Sequence, residues 1–154
     1  MAKDLKYFMR KQETEIVKAL GPDTFKDKDG NVIELEIKVL PQIEIFKIND
    51  KYERKSVATD KKGNPLVSSG EVVWKKEKDN ERALRHVIVE ALEYPNLKDP
   101  ELMKFYNCVD VTEMPLLVFS RADEYTQVLK TVMIALGLRE KDDTDEENLE
   151  AAKN

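Results

Sequence analysis

The side chains able to do chemistry in this chain are abundant in one kind and scarce in every other. Among 154 residues, 31 Asp and Glu stand beside a single His and a single Cys. Carboxylates in that number pair by chance, so pairs of them point to no acid–base site. The loop Phe25-Lys-Asp-Lys-Asp-Gly-Asn31 invites a calcium reading. With Gly30 at the sixth position of such a loop, Asp27, Asp29, Asn31 and Glu36 fall at oxygen-ligand positions. The first ligand position is then Phe25, which has no side-chain oxygen, and the residues that follow read as a strand rather than a helix. Asp29-Gly30 is therefore read as a hairpin turn. His86 lies about 200° around its helix from Leu84. That places it on the solvent face, with no second ligand or nucleophile set beside it, so it reads as a solvated helix residue. Cys108 has no disulfide partner, fits a reducing compartment and reads as a small buried hydrophobe. The sequence contains no GxxxxGK[ST], GxGxxG or GxSxG, so phosphate-cradle and nucleophile-elbow chemistry have no motif. Lys75, Lys76 and Lys78 beside Trp74 resemble a basic stacking platform, but Glu77 and Asp79 interrupt it. A net charge of −5 also opposes phosphate binding. The expectation is a protein that is not an enzyme and has no cofactor, metal or nucleic-acid site.

The elements behind these residues follow from pattern. Val32, Ile33, Leu35, Ile37 and Val39 give a β-rich stretch, with its partner upstream around Glu15–Lys18 or Thr24–Lys26. A second turn, Asp60-Lys-Lys-Gly-Asn-Pro65, separates Lys55–Thr59 from Leu66–Val67 as a smaller, exposed hairpin. Pro41 opens a helix through Tyr52, marked by Ile43 and Phe46. Leu84, Val87, Ile88, Ala91 and Leu92 form one apolar stripe on a helix over Asp79–Glu93, which Tyr94-Pro95 ends. A shorter helix starts near Asp99-Pro100, another at Thr112, and a final one follows Ser120. There Ser120 is read as the cap and Asp123 as the capping-box acid, with Tyr125, Val128, Leu129, Val132 and Leu136 as its inner face. The fold class is α+β: an N-terminal β-hairpin region, then a small cluster of helices. Residues 1–138 form one domain. Residues 139–154 carry seven acidic against three basic side chains and read as an acidic, disordered tail. The first ten residues contain no h-region, and no apolar run approaches the roughly 20 residues of a membrane helix. A soluble protein of the cytoplasm, with no membrane partner, is expected.

One surface suggests binding. Met114–Phe119 reads MPLLVF, apolar nearly all round, and Met133, Ile134 and Ala135 widen the apolar stripe of the last helix. Leu117, Phe119, Met133 and Ile134 lie at the margin of the ideal inner stripes and are the expected partner-binding residues.

The order of the motifs carries a resemblance: FKDKDGN at 25–31 with a β segment after it, YPNLKDPEL at 94–102, Tyr106, then Ala122-Asp-Glu-Tyr125 with Leu129. Over residues 20–137 the chain resembles the XkdN-like tail assembly chaperones of phages and phage-derived contractile particles. It departs from them at Asn107 after Tyr106 and at Ser120-Arg121-Ala122 before the last helix. The resemblance implies a non-enzymatic assembly factor of the bacterial host's cytoplasm, whose partners are the tape measure protein and, in some systems, the tail tube protein. It leaves homo-oligomerisation open. The alternative is a small structural component of a tail or contractile particle, associated with baseplate or tube.

Overall fold

The structure is a computed structural model that describes residues 3–140. Residues 141–154, and with them most of the expected acidic tail, lie outside the described residues. The class is the expected α+β. Strand β1 (Ile16–Leu20) pairs antiparallel with β2 (Glu34–Lys38), Ala19 opposite Leu35 and Val17 opposite Ile37. Leu35 and Ile37 point into the core, while Glu34, Glu36 and Lys38 face outward, the period-2 division of a half-buried sheet. The expected turn closes this hairpin. The Asp27 carboxylate accepts the Asp29 and Asn31 N–H groups at 2.9 and 3.0 Å, and Gly30 takes φ +82°. Nearer the sheet, Gly21 N–H donates to Ile33 O at 2.9 Å.

Helix α1 (Gln42–Lys51) follows Pro41 and buries Ile45 and Ile48. The chain then returns to β structure: β3 (Glu53–Val57), β4 (Val67–Ser68), β5 (Glu71–Val72) and β6 (Trp74–Lys78). β3 pairs with β6 and β4 with β5, forming a ribbon between two helices. The Asp60 carboxylate repeats the Asp27 device, accepting the Lys62 and Asn64 N–H groups at 2.9 Å each. The exposed hairpin expected from residues 55–67 is thus one part of a longer arm whose return strand, β6, the pattern did not mark.

Helix α2 (Asn80–Ala91) begins at Asp79, whose carboxylate accepts the Arg82 N–H, and buries Ala83, Val87, Ile88, Val89 and Ala91. The helical pattern extends to Glu93, but Leu92 turns to ψ 108° and opens β7 (Leu92–Tyr94), which pairs with β2. Leu92 is buried in either geometry, so apolar spacing could not separate them. The sheet order is β1-β2-β7. Helix α3 (Pro100–Phe105) is capped by Asp99, which accepts the Glu101 and Leu102 N–H groups. After a 3₁₀ turn at Val111–Glu113 come α4 (Met114–Val118) and α5 (Ala122–Ala135). The start of α5 corrects the expected cap. Arg121 precedes the helix, and its N–H donates to the Glu124 carboxylate at 3.1 Å, so Glu124 rather than Asp123 closes the first turn and Ser120 plays no part. Glu124 is buried and also accepts the Thr24 hydroxyl, tying α5 to the hairpin.

One hydrophobic cluster joins Ala19, Leu35 and Ile37 to Ile88, Leu97, Met114, Val128 and Val132. Gly21 sits at its edge, where an added Cβ would lie 2.9 Å from Ile33 O and 3.4 Å from Leu35. Backbone cannot swing aside, so Gly21→Ala is expected to cost about 1 to 3 kcal/mol in urea unfolding. Unchanged stability would show that this close approach constrains nothing.

Candidate functional site

The four expected partner-binding residues separate in the structure. Phe119 is 2% exposed and packs edge-on against Phe25, ring centroids 5.5 Å apart. Helix α4 is only five residues long. Phe119, the residue that follows it, leaves helical geometry at φ −100°, ψ 67°, and the ring is received in the core. Ile134 is 9% exposed and belongs to the same cluster, with Met133 half-buried against it. Leu117 is 37% exposed and Leu116 stands out beside it, whereas Met114 and Pro115 are buried. The MPLLVF run is therefore split: its ends are core, and its middle faces outward.

Other apolar side chains left in solvent escaped the sequence reading. Ile43 and Phe46, which mark α1, lie on its outer side, and Ile45 and Ile48 on its inner side. Both pairs have i,i+3 spacing, so nothing in the helix alone says which pair is buried. Phe105, Val109 and the N-terminal Leu5, Tyr7, Phe8 and Met9 are also exposed.

Titratable groups gather along α2. The Tyr52 hydroxyl and His86 Nδ1 are 2.6 Å apart, and His86 Nε2 lies 3.4 Å from Glu90, which also holds Lys98 at 3.0 Å. One turn earlier, Arg82 lies over the Tyr52 ring and reaches Asp110 at 2.6 Å. Asp110 in turn accepts the Thr112 N–H and hydroxyl at 3.0 and 2.8 Å. His86 is thus not the solvated residue expected from its angle to Leu84, because Tyr52, at the end of α1, covers that side of the helix. Burial works to raise Glu90, but the bond and charge of Lys98, with His86, outweigh it and hold the carboxyl below its ordinary range. The Thr112 hydrogen bond, with Arg82, likewise holds Asp110 low against the cost of burial. Cys108 donates to Asp110 O at 3.0 Å, and burial pushes its thiol up, away from the reactive thiolate. The named groups of this network are engaged with one another. Among the described residues, no group of three or more His, Cys, Asp or Glu side chains is placed to hold a metal. The arrangement is a clasp that fastens α1, α2 and the Asp110 loop.

Because Asp110 is held low in the fold, its stabilisation is full above the ordinary value of 3.8 and is lost as pH falls through the lower folded value. Asp110→Ala should cost about 1 to 2 kcal/mol at neutral pH and flatten the acid limb of a stability–pH curve. A curve superimposable on that of the unaltered protein would refute the clasp.

The motifs that first suggested a relationship have structural work in this fold. In YPNLKDPEL, Tyr94 ends β7, Leu97 is fully buried and Asp99 caps α3. Over residues 5–153 the sequence matches the family model of the phage XkdN-like tail assembly chaperone protein. The chain belongs to that family. This tail assembly chaperone is similar in fold to a solved crystal structure, that of the protein YqbN. The TM-score is 0.68 at 23% identity, covering 90% of this chain and 100% of the other. No curated protein matches the chain. The family is one of tail assembly chaperones. None of its helices here, among the described residues, is long and apolar enough to cross a membrane.

Proposed function

We propose that this tail assembly chaperone binds the tape measure protein in the cytoplasm of the host and covers its apolar helical seams until the tail tube protein polymerises around it. The membership of the chain in a tail assembly chaperone family supports the general role. The client reading rests on apolar side chains that the fold leaves partly exposed, Leu116 and Leu117 on α4. A long amphipathic helix aggregates through its apolar stripe unless a partner lays a matching surface on it. In this reading Leu117 and half-buried Met133 touch the client, while Phe119 and Ile134 stand behind them and hold α4 and α5 in place. Contacts this few suit a chaperone that must later leave.

Co-expression with the cognate tape measure protein should raise the soluble yield of that protein and give a complex on size exclusion. Changing Leu116 and Leu117 to Asp should weaken the complex at least about tenfold, the equivalent of 1.4 kcal/mol, with circular dichroism unchanged. Full binding by that folded variant would remove α4 from the interface, and no complex with the unaltered chain would remove the tape measure protein as client. Stoichiometric presence of the chain in purified particles would instead favour a retained structural component.

A further inference from the structure

The β3–β6 ribbon is charged against the rest of the molecule. Residues 53–78 hold seven basic and four acidic side chains, a net +3, which leaves −8 for the remainder of a chain whose total is −5. Of the five basic residues in β3 and β6, pairing places three on one face. Directly opposed residues share a side of an antiparallel ribbon, and the register sets Glu53 opposite Lys78, Lys55 opposite Lys76, and Val57 opposite Trp74. Lys55, Lys76, Lys78 and Trp74 are exposed there, Trp74 to 62%. Lys76 has Glu53 at 3.5 Å, but among the described residues Lys55 and Lys78 have no ion-pair partner. Two lysines placed face to face repel, and both are exposed.

We propose that this lysine face is the docking site for residues 142–150 of the same chain. Their sequence, Asp-Asp-Thr-Asp-Glu-Glu-Asn-Leu-Glu, carries six carboxylates and no cation. It therefore supplies the charge the ribbon lacks, and Leu149 offers an apolar side chain for Trp74. Glu150 is ten residues past Glu140 and reaches up to about 35 Å from it, against a radius of gyration of about 14 Å for a domain of this length. Tethering raises the effective concentration of the segment to the millimolar range, enough for a contact made of exposed charges. A phosphate backbone is the poorer occupant, because it must be recruited from solution whereas the acidic segment is already tethered to the ribbon. Docked in this way, the segment shields the ribbon from other acidic polypeptides and gives way when salt or a more strongly charged partner competes.

Trp74 is the single tryptophan of the chain, so its fluorescence reads the site directly. In the full-length chain at low salt, acrylamide should quench Trp74 about half as well as in a full-length variant with the six acids of 142–150 changed to Asn or Gln. The difference should vanish in 1 M NaCl, where the Debye length is about 3 Å. Carbodiimide cross-linking should join those acids to Lys55, Lys76 or Lys78 within the monomer, and Lys55→Glu with Lys78→Glu should abolish both signals. Equal quenching of the two chains overturns the proposal. So do cross-links confined to dimers, cross-links scattered over lysines elsewhere, or single-stranded DNA that protects Trp74 at concentrations where the acidic segment does not. The outcome is independent of whether the client is the tape measure protein, since no client is present in either experiment.

Discussion

The fold turns on the passage from α2 to β7 at Leu92. Val87, Ile88 and Ala91 bury one side of α2, and the next apolar residue in that series continues the same burial from an extended backbone, opposite Ile37 of β2. A single stretch of chain thereby belongs to both layers, helix and sheet. The spacing between the layers is fixed by covalent continuity as well as by packing. With β7 in place, β2 has partners on both edges, and Ile37 and Ile88 are sealed from solvent. The later helices, α4 and α5, add Met114, Val128 and Val132 to a core whose frame is already set.

Much of this frame was legible in the sequence because local chemistry and burial agree there. Asp29-Gly30 and the alternation of Leu35 and Ile37 specify the β1–β2 hairpin, and Asp79, Asp99 and Pro100 mark helix starts that the structure keeps. The illegible parts are those in which a residue satisfies two geometries equally or is satisfied by something far along the chain. Trp74–Lys78 is exposed on both faces, so β6 has no hydrophobic alternation to announce it; backbone bonds to β3 hold it. His86 points away from the stripe of its own helix, and only the arrival of Tyr52 from α1 explains its burial. Glu124 is one position beyond the acid that spacing favoured, and its second bond is to Thr24, a hundred residues earlier.

The candidate surface divides along the same line. A run that is apolar all round its helix does not encode which side is inside. The core took Phe119 and Ile134 and left Leu116 and Leu117 outward. The outward pair is then the part of the run that folding does not require, which is the property a contact surface needs. Ile43 and Phe46 on α1 have the same status for the same reason.

The order in which the sheet closes has a consequence for synthesis. β1 and β2 are joined by a short turn, but the second edge of β2 is covered only by residues 92–94, after α1, the ribbon and α2 have all been made. A nascent or prematurely terminated chain ending before Leu92 carries a hairpin with the backbone groups of one edge bare and Ile37 unsealed. Bare strand edges recruit one another. Incomplete translation products of this protein thus expose the β2 edge and Ile37, which β7 covers in the finished fold.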